Sequence, residues 1–299
     1  MRSAHIALQA VTVGHPRAPE PASSQSSAGF GSAIMTGVEI ATVAERPELM
    51  GPAWEQTSDT FPEYNNHGDV LNHFWGRLTE ERPEFQFHLV GDHGEILARV
   101  RSLPVRWDGT VADLPDGIDG AIARGFDHGE ANALCALVIM VPRDLQGRGL
   151  STHALKAMLE LARRHGLTRL IAPVRPSLKE RYPLVPIERY GAWRRADGLL
   201  FDPWMRVHER LGGTVLKPEP RSLRITGTVA EWEEWTAMSF PESGEYWFPH
   251  GLATLAVDRD SDRAGYWEPN VWMQHVVQAR EVDLRAGLYR TQRDSVALR

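Results

Sequence analysis

Val141-Pro142-Arg143-Asp144-Leu145-Gln146-Gly147-Arg148-Gly149-Leu150-Ser151 joins an apolar run to an amphipathic one with no spacer between them. Residues 133–141 are apolar on both alternating faces, the pattern of a strand buried at the centre of a sheet. From Leu150 onward, Ala154, Met158, Leu161 and Ala162 share one helical face, with Lys156, Glu160, Arg163 and Arg164 largely opposite, and Gly166 supplies a left-handed stop. A strand therefore runs through a glycine turn straight into a helix. The first amides of that helix have no partners within it, and its dipole adds partial positive charge. An anion, above all a phosphate, is the natural occupant. Gly147 and Gly149 let the backbone approach closely, and Arg148 adds a cationic side chain.

Three kinds of phosphate loop compete for this pattern. A Walker loop needs Gly-Lys-Ser/Thr after a Gly and four residues, and that is absent. A dinucleotide fingerprint needs glycine where Thr152 stands, and an acid near Ala172-Pro173-Val174. The stretch instead resembles the acyl-CoA motif of the GNAT N-acyltransferases, written Q/R-x-x-G-x-G/A. Gln146 and Gly149 fit it, Ser151 replaces the last small residue, and Pro142 stands four residues before Gln146 as in that family. The resemblance covers residues 38–229.

It implies a mixed α/β (α+β) fold, a central twisted sheet flanked by helices and splayed between its fourth and fifth strands. Acetyl-CoA, as co-substrate, would lie between strands 133–141 and 169–174. Main-chain groups of Ile139, Met140 and Val141 would hold the pantetheine arm, and Gln146, Gly147, Arg148, Gly149, Leu150 and Ser151 the pyrophosphate. The implied reaction is acetyl transfer to the amine of a small molecule by direct attack in a ternary complex. The alternative is a non-catalytic acyl-CoA-binding module, a sensor or a structural piece.

The same resemblance suggests catalytic groups. Many members carry a late Phe-Tyr-x-Lys-x-Gly-Phe helix end whose Tyr protonates the departing thiolate. Here Val207-His208-Glu209-Arg210-Leu211-Gly212-Gly213 puts His208 at the Tyr position. A histidine near its ordinary pKa could supply that proton, or could simply pack near the helix C-terminus. Several members place an acid eleven residues before the motif's first residue. That position is Cys135, a structural thiol rather than a base, so Glu130 is the chemical candidate, against a plain role as a solvated strand-entry residue.

Outward from the centre, residues 1–36 read as a disordered Pro/Ser/Gly leader, with Met35 near a truer start, 37–230 as the acyl-CoA-binding domain and 231–299 as an extension packed on it or on a partner subunit. Residues 38–43 form a strand, two helices flank Phe61-Pro62, and 85–90 and 96–105 make a hairpin through Gly91-Asp92-His93-Gly94. Residues 169–174 form the second buried strand, linked by a parallel crossover, and 214–217 and 223–229 read as two more. An insertion at 176–202 is rich in aromatics. It either walls the acceptor site, offering Arg189, Arg194 and Arg195 to an acidic acceptor, or is a packed cover with surface ion pairs. Trp247, Trp267 and Trp272 mark extra core or a homodimer interface. Asp258-Arg259-Asp260-Ser261-Asp262 lacks the EF-hand Gly and Glu, where Arg263 and Pro269 stand, so a hairpin turn and no metal are expected.

Composition bounds the rest. With 299 residues, 42% hydrophobic and 24% charged, the chain can bury a large core. A net charge of -6 argues against nucleic acid as partner, and so against an aminoacyl-tRNA donor. One cysteine excludes an internal disulfide and fits a cytoplasmic setting. No apolar run approaches the roughly 18 residues that cross a bilayer, so no membrane partner is expected.

Overall fold

Apolar alternation sets the strands of the first half. In the computed structural model, which describes residues 37–127 and 129–277, β1 (Glu39–Thr42), β2 (Gln86–Val90), β3 (Ile96–Val105) and β4 (Ala133–Met140) form an antiparallel run. The expected leader at 1–36 lies outside these residues. Two helices, α1 (Met50–Thr57) and α2 (Leu71–Glu81), separate β1 from β2, as the break at Phe61-Pro62 suggests. A third, α3 (Gly117–Gly125), occupies a stretch left unassigned above. The helix α4 (Leu150–Arg164) then carries the chain to β5 (Arg169–Val174), which pairs parallel with β4.

The second half departs from expectation. After α5 (Ile187–Tyr190) and α6 (Pro203–Arg210), the two expected strands are one, β6 (Thr214–Gly227), interrupted by two register shifts. It gives way at Thr228, whose capping box with Glu231 starts α7 (Val229–Thr236). Then come β7 (Gly244–Tyr246), β8 (Leu255–Asp258) and β9 (Arg263–Val276), the last two joined by the expected turn at 259–262. The sheet order is β1-β2-β3-β4-β5-β9-β8-β7, with β6 also paired to β9. The residues expected to be an extension thus supply a central strand. Without β9 the outer edge of β5 would be an open ladder, and β9 closes it from Arg169↔Val276 to Val174↔Val271.

The core has a layer on each face. On one, Leu155 and Met158 of α4 are fully buried against Phe87, Leu89 and Val100, each such side chain stabilising by about 2 kcal/mol. On the other, α2 and α3 cover Leu103, Cys135, Ile171 and Trp272. A third cluster gathers Tyr64, Trp232, Phe248 and Tyr266 under α7.

One local irregularity positions the site. β4 and β5 pair only from Ala133↔Arg169 to Cys135↔Ile171. Beyond that, Ser102 faces Ala136 and Arg101 faces Val138, so Leu137 is an extra residue that bends β4. Pro173 also removes an N–H from β5 where the two strands part. This is the expected splay between the fourth and fifth strands.

Candidate functional site

A cavity of about 770 Å3 opens where β4 and β5 separate, walled by Leu137 to Val141 on one side and Ala172 to Arg175 on the other. The glycine turn forms one end. Gly147 and Gly149 hold φ of 78° and 82°, and a Cβ added to either would meet no atom of the described residues within 4 Å. Gly149 is the helix N-cap and no side chain caps α4. Among the described residues, no backbone carbonyl accepts from the amides of Gly147 through Thr152. Gln146 turns inward to the Val141 carbonyl at 3.2 Å, and Arg148 folds back on the Asp144 carbonyl at 3.1 Å. The amides rather than these side chains face outward, which fits a diphosphate. The side of β4 facing β5 has no strand partner beyond Cys135, so Ile139 to Val141 offer an edge suited to an amide-bearing arm.

The other end of the cavity is polar. Among the described residues, three side chains on its wall can carry charge: Arg175, His208 and Glu268. Arg175 ends β5, and Glu268 lies in the stretch of β9 between its pairings with β5 and β8. Arg175 Nε donates to Glu268 Oε2 at 2.9 Å, and its Nη2 reaches the Tyr64 hydroxyl at 3.3 Å and the His250 carbonyl at 3.1 Å. Burial opposes the Arg175 charge, yet the Glu268 carboxylate beside it holds its pKa above the ordinary arginine value. Asn65 Nδ2 also donates to Glu268 at 3.3 Å. On the same wall the Asn65 Oδ1 and Thr60 Oγ1 atoms are buried and, among the described residues, have no hydrogen-bond partner.

His208 lines the cavity from α6, buried against the Trp204 ring at 4.6 Å, and its Nδ1 lies 3.0 Å from Nε2 of His275. Burial, aided by His275, lowers its pKa to about 3. It is therefore neutral near pH 7, and protonation of a thiolate by an imidazolium there does not fit. Glu130 is exposed before β4 and does not line the cavity, because the strand reaches the site only from Ala136 onward. Cys135 is fully buried, with its thiol pushed up by desolvation, and is no nucleophile.

The insertion is a packed cover. Tyr182, Tyr190, Trp193 and Phe201 interlock edge to face, and the Asp202 carboxylate ties Tyr190 to the start of α6. Arg194 pairs with Glu209 and Arg195 with Asp197, away from the cavity wall. The sequence assigned no role to Arg175, Asn65 or Glu268. The signal was there for Glu268 and Asn270, two polar residues within the otherwise apolar stretch 264–273 of β9.

Comparison with known proteins agrees with this geometry. Residues 51–181 match the model of the acetyltransferase (GNAT) family. The arginine N-acetyltransferase avaD of Aspergillus versicolor is 28% identical over 283 residues, covering 83% of this chain and 97% of that protein. Two solved structures share the fold: the loading GNATL domain of CurA from Lyngbya majuscula and the GphF GNAT-like decarboxylase in complex with isobutyryl-CoA. Each is 17% identical with a TM-score of 0.51, covering 81% of this chain and 98% and 99% of theirs.

Proposed function

We propose that the chain is a GNAT-type acetyltransferase, which residues 51–181 and the 28% identical relative support, and that it acetylates the amine of a small amino-acid-like acceptor with acetyl-CoA, arginine being the acceptor to test. The observation that carries the proposal is continuity: the outward amides of the glycine turn and the Arg175–Glu268 pair open into one cavity. The name of the fungal relative supports arginine as acceptor.

In this reading the amides of Gly147 to Thr152 bind the pyrophosphate, and the free edge at Ile139, Met140 and Val141 aligns the pantetheine arm. The acceptor amine lies on the α2 side of the splay, beside Asn65 and Arg175. Its nitrogen forms a bond to the thioester carbon as the carbon–sulfur bond breaks. Glu268, the one carboxylate on the wall among the described residues, takes the amine proton directly or through water. His208 is neutral, and with His275 fixing its tautomer it donates a hydrogen bond to the leaving sulfur instead of a full proton. Holding both reactants in one cleft supplies much of the rate.

The test is an acetylation assay over amino acids and their amine analogues, with calorimetry of acetyl-CoA binding alongside. Micromolar binding with turnover of arginine supports the proposal. Binding without turnover on any amine would favour a non-catalytic module, and absence of binding would remove both.

A further inference from the structure

β3 carries two buried cations, Arg99 and Arg101. Cross-strand partners share a sheet face, so His88, Arg99 and Met140 stand in one row, and Arg101 stands beside Val138. Val138 and Met140 line the cavity. The cations are deeply buried: Arg99 is 5% exposed, Arg101 2% and His88 0%. Among the described residues no carboxylate pairs with either guanidinium. Among the described residues, Arg99 Nε and Nη1 and both ring nitrogens of His88 have no hydrogen-bond partner, and Arg101 spends Nη1 on the Val100 carbonyl at 2.9 Å. Two uncompensated charges side by side in the interior are among the costliest arrangements a fold can hold. Burial alone lowers the Arg99 pKa to about 10, and burial together with Arg99 lowers that of Arg101 to about 9.

Trp54 links this cluster to the cavity. The Trp54 ring covers Arg99, with the guanidinium carbon 5.0 Å from its centroid, and Trp54 is 50% exposed and forms part of the cavity wall. A turn of that indole would open Arg99 to a bound molecule.

We propose that Arg99 and Arg101, with His88 beside them, bind a carboxylate carried by the acceptor, admitted from the cavity past Trp54. The identity of the carboxylate's bearer rests on the acetyltransferase reading above; the anion site itself does not. The same oxyanion chemistry could be met by the 3′-phosphate of CoA, and the experiment separates the two.

The full chain and its Arg99→Met variant are compared. Sodium succinate should raise the melting temperature of the wild type above that in sodium chloride of equal ionic strength, and should not do so in the variant. Without added anion, Arg99→Met should melt at or above the wild type, since an apolar side chain replaces an uncompensated charge; a lower melting point would make Arg99 structural and overturn the proposal. Wild type should prefer arginine to agmatine, its decarboxylated analogue, by about tenfold in kcat/KM, and the variant should lose that preference with agmatine turnover unchanged. Acetyl-CoA and dephospho-CoA affinities should be equal in ratio for both proteins; a loss confined to acetyl-CoA in the variant would assign the anion to the cosubstrate and refute the acceptor site. If neither amine is acetylated, the acceptor reading fails while the succinate response still decides the anion site. An unresponsive wild type sinks it without any variant.

Discussion

Gly149 does its work through an absence. At φ 82° it holds a backbone that L side chains resist, and it leaves the amides of Leu150, Ser151 and Thr152 open. Gly149→Val should keep the fold and weaken acetyl-CoA binding by about tenfold or more, read by calorimetry, since strain of about 1–2 kcal/mol falls on the turn that presents those amides. Glu268 sits at the opposite end. Glu268→Gln keeps a neutral partner for Arg175 and should lower kcat by about a hundredfold with acetyl-CoA affinity unchanged. Equal turnover in that variant would remove Glu268 as the base. The motif at Gln146 to Ser151 was legible because a glycine spacing is local chemistry. Glu268 was not, because its nearness to Arg175 spans 93 residues of chain.

At the scale of elements, the insertion owes its order to one carboxylate. Asp202 accepts from Leu178 N at 2.8 Å, Tyr190 Oη at 2.9 Å, Trp204 N at 2.9 Å and Met205 N at 3.2 Å. Asp202→Ala loses a helix cap and strands several buried donors, so a loss of about 3 kcal/mol is expected in denaturant unfolding. The cap itself was readable from Asp202-Pro203. The tie to Tyr190 was not, and neither was β9, whose long apolar run is equally consistent with an edge, a centre or a subunit contact. What settled it was the bare edge of β5. The aromatic content of 176–202 signalled order but not direction, and Arg194 and Arg195 pair with Glu209 and Asp197.

Across the molecule, buried histidines link folding to pH. His88 and His208 are held near pKa 3 and His275 is also lowered, in each case chiefly by burial. A histidine depressed in the folded state stays neutral there while the unfolded chain takes up protons below about pH 6.5. Their contribution to stability is therefore present above pH 6.5 and lost progressively toward the folded values. Unfolding free energy measured from pH 7 to pH 4 should fall by more than one proton's worth of slope, and His208→Gln should flatten it. An unchanged slope in that variant would mean His208 titrates normally. Buried pairs of this kind are assembled by packing and leave no sequence signature.

By itself the sequence determined the strand, turn and helix at the centre, the anion-seeking character of the turn, and with them the fold class. Those features depend on residues within one or two turns of each other, where periodicity and glycine geometry act directly. Only the tertiary structure decided that β9 pairs beside β5, that Arg175 and Glu268 meet at the cavity, that His208 is too dry to be charged, and that Arg99 and Arg101 are buried with no carboxylate partner among the described residues. Each of these turns on burial and on contacts between distant segments, and both come into being only when the sheet has formed.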